Sequence, residues 1–259
     1  MKLIIGCPIY KRDWILPDWI RCILKQSVHM SEIGFVFEVS PDDNPTVQSL
    51  LAWKRIDKNI PLFEIVERKD IPHFEHQNNG RQWTLSKYHN MINMRNSILS
   101  KVRDIKPDFY FSLDSDILIE NPNTLELLIA HIQNGADAVS PLMYMTPIGK
   151  DYPSVMSWKD KAGEKAFRRK DYPIGTYFQS DIIMAAKMMS KDVYMNVDYE
   201  FHQQGEDLGW SKNAATKNYS LYSASYIYSP HIMSPVHLKE YRQNKDLRSS
   251  ELLDNLSKV

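Results

Sequence analysis

The sequence predicts a single α/β domain in which a mostly parallel sheet is sandwiched by helices. In its first half, short apolar runs alternate with segments of helical spacing. Strand–helix–strand repetition of this kind is typical of parallel sheets covered on both faces. The chain has 259 residues, of which 43% are hydrophobic and 25% charged. That size and composition are ordinary for one large globular domain, and no internal repeat or low-complexity linker divides it.

The first four strands and the helices between them follow in order along the chain. Apolar runs predict the strands, and apolar residues at helical spacing predict the helices. The predicted strands cover 2–10, 35–40, 62–68 and 108–116, and the predicted helices cover 16–27, 46–56 and 85–102. Ligands of such sheets bind beyond the carboxyl ends of the strands, so residues that follow a strand are candidates for a site.

The second half is less regular. Residues 146–173 carry Pro, Gly and mixed charges without periodicity, and a connection of that length predicts an acceptor loop or lid. A strand over 175–187, a helix starting at "GEDLGW" and a strand over 219–233 are predicted after it. We place the domain at 1–237 and a helical tail at 238–259.

Composition excludes few classes of function. Thirty-two basic and thirty-two acidic side chains give no net charge, so nucleic acid binding is neither demanded nor excluded. Cys7 and Cys22 lack metal-site spacing and are predicted to be reduced core residues. No uninterrupted apolar stretch of about 18 residues is found, so we expect a cytoplasmic protein without a membrane anchor.

The segment "DFYFSLDSD" places Asp114 and Asp116 where an apolar strand runs out. Side chains two apart on a strand share a face, so both carboxylates could address one cation. Oxygen ligands of this type suit Mg²⁺ or Mn²⁺. The alternative is structural, with one aspartate capping the following turn and the other solvated.

A second acidic pair, Glu206 and Asp207, lies where a helix begins. The helix dipole favours acids there, which is a sufficient structural explanation for either residue. A carboxylate at that position could instead act as a general base on an attacking hydroxyl.

For three further residues the sequence leaves open whether they bind a ligand or serve the structure. His231 ends the last predicted strand, His237 competes with it, and a lone histidine is more often structural than a ligand. Arg95 falls inside the apolar stripe of the helix over 85–102. A buried cation needs an anionic partner, so either an internal carboxylate or a ligand phosphate is expected beside it.

In this order the residues resemble a GT-A fold glycosyltransferase, with a Rossmann-like nucleotide-binding sheet similar to that of the inverting family-2 enzymes. "LIIGCPIYKR" resembles the first nucleotide-binding strand, "NMRNSIL" the Arg-Asn helix and "FSLDSD" the D-x-D strand. "GEDLGW" resembles the Glu-Asp helix, and the strand that ends at "YSPHI" resembles the one whose final His completes a metal site.

The resemblance implies a role for each residue. Asp116 and His231 would bind the Mn²⁺ or Mg²⁺ that holds the donor diphosphate, and Asp207 would be the base, with Glu206 positioning the acceptor or the helix. Asp42 or Asp43 would contact the base or ribose of the nucleotide. The donor-binding residues would be Pro8, Tyr10, Arg12, Asp43, Arg95 and Asp114.

The implied activity is metal-dependent transfer of a sugar from a nucleoside diphosphate donor, with a UDP-sugar favoured, to an acceptor hydroxyl with inversion. The acceptor stays open between a glycan and, in a viral setting, a hydroxylated DNA base. A sugar-phosphate nucleotidyltransferase is the second class, although "GCPIYKRDW" lacks its Gly-rich phosphate loop. A non-catalytic nucleotide-sugar-binding module is the third.

Overall fold

The computed structural model describes residues 2–40, 42–67, 84–144 and 153–244. Its main feature is an eight-stranded sheet, with a two-stranded hairpin beside it. The elements of the first half alternate as predicted. They are β1 (Leu3–Ile9), α1 (Leu16–Leu24), β2 (Ile33–Val39), α2 (Asn44–Ile56), β3 (Phe63–Glu67), α3 (Leu85–Ile105), β4 (Phe109–Leu113), α4 (Thr124–Gln133) and β5 (Ala138–Leu142).

The second half contains shorter strands and three helices within the described residues. The region predicted as one strand over 175–187 contains two. The first lies at the edge of the sheet, and the chain then crosses to the centre of the sheet, where the second begins. The elements are β6 (Met156–Trp158), β7 (Ala166–Arg168), β8 (Tyr177–Gln179), β9 (Ala186–Ser190), α5 (Lys191–Asn196), α6 (Glu206–Thr216), β10 (Leu221–Tyr228) and a C-terminal helix over 235–244.

The strand order is β3-β2-β1-β4-β9-β5-β10-β8. Neighbours from β3 to β4 are parallel, as are β5 and β10. Strand β9 runs antiparallel between β4 and β5, and β8 runs antiparallel at the edge. The predicted class, a mostly parallel sheet in a single α/β domain, is confirmed.

Helices cover both faces of the sheet. On one face α1, α2 and α4 bury a core that includes Trp19 and Trp53, and on the other α3, α5 and α6 pack around Trp210. Both Cys7 and Cys22 are free and buried, as predicted. At Gly6 an added Cβ would lie 2.5 Å from Ile98 Cγ2, so α3 packs directly on the backbone of β1.

Two segments differ from the expected domain plan. Residues 153–173 contain the β6–β7 hairpin, which is tied to the loop before α6 by His202 Nε2 on the Gly163 carbonyl (3.1 Å). Residues 145–152 lie outside the described chain. The C-terminal helix crosses the expected boundary at 237 and packs on the domain through buried Leu238 and Tyr241. Across the described ranges, no helix is both long and apolar enough to cross a membrane.

Candidate active site

The two aspartates of "LDSD" lie beyond the end of β4. The strand stops at Leu113, and the Ile117 N–H donates to the Asp114 carbonyl at 3.2 Å to close a turn. Because the chain is no longer extended there, the two-residue alternation does not apply. Asp114 and Asp116 therefore meet different partners, and the expectation that strand geometry aims both at one cation is corrected.

Asp116 contacts His231, which follows β10. Its Oδ1 lies 3.3 Å from His231 Nε2, and its Oδ2 accepts from Arg12 Nη2 at 3.1 Å. Backbone contacts hold this arrangement, since the Ile232 N–H donates to the Asp116 carbonyl at 2.7 Å. His231, and not His237 of the C-terminal helix, is thus the histidine beside the acidic turn.

This pair fits a divalent cation. A carboxylate oxygen and an imidazole nitrogen are accepted ligands of Mn²⁺, and neighbouring ligands of an octahedral ion lie about 3 Å apart. Asp116 and His231 are already at that spacing. Within the described residues no group of three or more His, Cys, Asp or Glu could hold a metal. The protein would therefore supply two ligands, leaving the other positions to phosphate oxygens and water.

Asp114 turns instead toward Arg95. The Arg95 Nη2 donates to both oxygens of Asp114 (2.8 and 3.1 Å) and to Glu206 Oε1 (3.3 Å), while Nη1 donates to Ser112 Oγ (3.2 Å). Arg95 is only 1% exposed. Of the two partners expected for Arg95, the structure contains the internal carboxylates. The other expected partner, a ligand phosphate, stays a prediction.

Burial and charge set the state of these groups. Burial, with Asp207 and Asp114 adding like charge, raises the pKa of Glu206 above its ordinary value. Burial also raises the pKa of Asp114, and Arg95 only partly opposes this. For Arg95 burial disfavours the cation, but Asp114 and Asp207 outweigh it and hold the pKa well above the usual range. The site thus keeps Arg95 charged and makes Glu206 easier to protonate.

Asp207 has a partner that the sequence analysis missed. One oxygen pairs with Lys187 Nζ, and the other accepts from the Ala185 N–H at 2.9 Å. Burial alone would raise the pKa of Asp207, yet Lys187 and Arg95 lower it. The signal was available in "MAAKMMS", where a single cation interrupts an apolar run.

The residues expected at the nucleotide lie on and after β1. Pro8 is buried in β1, and Tyr10 and Arg12 follow the strand half-buried. Asp43 is 2% exposed and accepts from the backbone N–H of Lys11 (2.5 Å) and of Thr46 (3.4 Å). Its oxygens cap α2 and fix the loop after β1, and a contact of Asp43 with the nucleotide stays a prediction.

Asp42 is the more accessible of the two acids. Its side chain is 25% exposed and lies 3.8 Å from Lys11 Nζ. Of the two acids that the sequence proposed for the base or ribose, Asp42 is therefore the more exposed.

Solved structures share this architecture at low sequence identity. The mannosyltransferase PcManGT from Pyrobaculum calidifontis, in complex with GDP-Man and Mn²⁺, matches with a TM-score of 0.60 and 13% identity over 91% of this chain and 58% of that one. GalNAc-T7 with UDP, GalNAc and Mn²⁺ matches with a TM-score of 0.63 and 13% identity over 93% of this chain and 47% of that one. At this identity the likenesses show the fold alone, which is the GT-A fold.

The sequence comparison is more specific. The chain belongs to the family described as glycosyltransferase family 25, N-terminal domain, whose model matches residues 9–148. A glycosyltransferase 25 family member of Aedes aegypti is 24% identical over 130 residues, which are 50% of this chain and 21% of that protein. The match thus spans about a fifth of the length of such relatives. The family found is 25, where the sequence motifs had indicated similarity to family 2.

One structural neighbour is named a synthetase and not a glycosyltransferase. A CMP:2-keto-3-deoxy-manno-octonic acid synthetase complexed with CTP matches with a TM-score of 0.53 and 11% identity over 96% of this chain and all of that one. At such identity the likeness concerns the fold alone. Family membership together with the glycosyltransferase neighbours supports a glycosyltransferase.

Proposed function

We propose that this protein is a metal-dependent glycosyltransferase that moves a sugar from a nucleoside diphosphate donor to an acceptor hydroxyl with inversion. One observation carries the proposal. Asp116 and His231, which together could ligate a divalent cation, lie at the same edge of the sheet as Glu206. Asp114 and Arg95 connect the two, since Asp114 shares the turn with Asp116 and Arg95 bonds both Asp114 and Glu206. A donor side and an acceptor side are thus built into one network.

The donor side is the turn after β4 with the loop after β1. Asp116 and His231 would hold Mn²⁺ or Mg²⁺, and a bound cation would offset the charge of the departing diphosphate. Arg12 is placed to contact the same diphosphate, because its side chain is 20% exposed and touches Asp116. Tyr10 and Asp42 border the space open to the nucleotide. UDP is our preferred nucleotide, in keeping with the UDP named in one neighbour.

On the acceptor side we propose Glu206 as the general base in place of Asp207. Both oxygens of Asp207 are bonded to Lys187 and to the Ala185 N–H, and its lowered pKa makes it a weak base. Glu206 bonds the shared Arg95, and its raised pKa suits proton transfer nearer neutral pH. Attack assisted from this side, opposite the leaving diphosphate, inverts the anomeric carbon.

The acceptor and the cellular setting are the last parts of the proposal. A relative from Xenopus laevis named procollagen galactosyltransferase 1-A is 37% identical over 57 residues, which are 22% of this chain and 9% of that protein. We keep an acceptor hydroxyl on a glycan, or on a hydroxylated DNA base in a viral setting, as the proposal. We also keep a cytoplasmic location, and a role of the 146–173 segment in covering the acceptor.

A panel of nucleotide sugars tests the reaction class. Each donor is incubated with the protein and Mn²⁺, and the products are identified by mass spectrometry. A transferase releases a nucleoside diphosphate, with water as the acceptor when no other is present. A sugar-phosphate nucleotidyltransferase, the second candidate, instead consumes a nucleoside triphosphate and a sugar phosphate and releases pyrophosphate. A binding module consumes neither.

A further inference from the structure

Lys187 lies at the centre of the sheet and is fully buried. It belongs to β9, the antiparallel strand between β4 and β5. In addition to its contact with Asp207, the Lys187 ammonium lies over the rings of Tyr199 (5.1 Å) and Trp210 (5.3 Å). A buried ammonium is costly unless paired, so a lysine here calls for a specific role.

The partner of Lys187 is the first turn of α6. Asp207 is bonded to the Ala185 N–H, just before β9, and to Lys187 within β9. One turn later Ser211 Oγ accepts from the Ile183 N–H and donates to the Ile183 carbonyl, both at 3.3 Å. The start of α6 is thus fixed to residues 183–187 at two successive turns.

The charges of the network show what this contact achieves. Two buried cations, Arg95 and Lys187, face the three carboxylates Asp114, Glu206 and Asp207. Lys187 engages Asp207 alone of these three, whereas Arg95 lies 4.0 Å from Asp207 and bonds the other two more closely. Lys187 is therefore the closest charged partner of Asp207, while Arg95 bonds Glu206 and Asp114 more closely than it approaches Asp207.

We propose that Lys187 is a positioning residue: by holding Asp207 as its own counterion, it fixes the first turn of α6 so that Glu206 is the carboxylate presented to the acceptor. This inference rests on the proposed function, since it assigns Glu206 its place in that reaction. It concerns a residue outside the acidic and histidine motifs.

The test replaces Lys187 and Asp207 together. Lys187→Met alone leaves Asp207 buried without its counterion and is expected to lower the melting temperature strongly. The double variant Lys187→Met with Asp207→Leu replaces both charges by apolar groups, which often restores stability. Lys191→Met is the matched control, because Lys191 is exposed at the start of α5, four residues away.

Two readouts are compared in the double variant and the control. Hydrogen exchange measures protection of the amides of residues 205–211, and the probes UDP-galactose, UDP-glucose and UDP-N-acetylglucosamine with Mn²⁺ measure hydrolysis. We expect the double variant to lose protection at α6 and to hydrolyse the accepted donor roughly 10- to 100-fold more slowly, as for a misplaced group. Its UDP affinity should stay within about threefold of wild type, since Asp116 and His231 are intact.

The outcomes separate the possibilities. Protection or turnover equal to that of the control would overturn the positioning role, and so would a Glu206→Gln variant with wild-type turnover, because Asp207 would then be the base. If wild-type protein hydrolyses none of the probes, the proposed function loses its support. Hydrogen exchange would still decide whether Lys187 fixes α6.

Discussion

Arg95 and Lys187 are buried cations that determine what the neighbouring carboxylates can do. Asp114 and Glu206 share Arg95, whereas Asp207 is taken up by Lys187 and a backbone amide. The acidic residues were found from sequence because their spacing and position after strands are visible there. Their pairing was not, because it depends on which strand lies beside β4.

The first prediction separates Glu206 from Asp207. Asp207→Asn removes the counterion of Lys187 and is expected to destabilise the protein by roughly 3–5 kcal/mol, as for a broken buried pair. Glu206→Gln keeps an oxygen for Arg95 and should change stability little, yet slow transfer by about 10²- to 10⁴-fold if Glu206 is the base. Thermal unfolding and initial rates of both variants test this assignment. If Asp207→Asn slowed transfer far more than Glu206→Gln did, Asp207 would be the general base.

The second prediction concerns Arg95→Met. Because this change leaves the buried Glu206 and the half-buried Asp114 without their shared cation, unfolding should become easier by roughly 3–5 kcal/mol. A variant with unchanged stability but weaker diphosphate binding would show that the guanidinium meets a ligand instead. Lys101→Met is the control, since Lys101 is an exposed residue of the same helix.

At the scale of elements, alternation of apolar runs located β1 to β4 and the helices between them. It misassigned residues 175–187, where the chain crosses from β8 at the sheet edge to β9 at the centre. Both pieces are short and apolar, so periodicity alone cannot separate them. The same limit applies to "LDSD", because whether the strand ends before or after Asp114 depends on the turn at Ile117.

The third prediction tests how closely α6 is seated. Gly209 lies within this helix, and an added Cβ would lie 1.9 Å from the Glu200 carbonyl oxygen. Gly209→Ala gains about 1 kcal/mol of helix propensity, but overpacking costs typically about 1–3 kcal/mol. A backbone oxygen cannot turn away as a side chain can, so we expect net destabilisation and slower transfer.

Thr216→Ala serves as its control, since it raises propensity at an exposed position of the same helix. Denaturant unfolding compares the two variants. A more stable Gly209→Ala protein would show that α6 is not held against residue 200.

At the scale of the whole molecule, the segments that follow β1, β4 and β10 meet at Arg12, Asp116 and His231. These residues are far apart in the chain, and β9 and β5 separate β4 from β10 in the sheet. Parallel topology was predictable, and with it the meeting of strand ends. The insertion of β9 was not, since it depends on long-range pairing that no local pattern encodes.

The fourth prediction concerns the cation. UDP binding, measured by calorimetry, should strengthen on adding Mn²⁺, and His231→Ala should reduce that gain far more than His237→Ala. The reason is position: His231 Nε2 is 3.3 Å from Asp116, whereas His237 belongs to the C-terminal helix. If His237→Ala has the larger effect, the second ligand is misassigned.

The most direct measurement is an NMR time course of a UDP-sugar with the wild-type protein, run with Mn²⁺ and again with a chelator. The account predicts release of UDP with Mn²⁺, an inverted anomer as the first product, and loss of the reaction when the cation is removed. Turnover that is unaffected by the chelator, or a product of retained configuration, would contradict it.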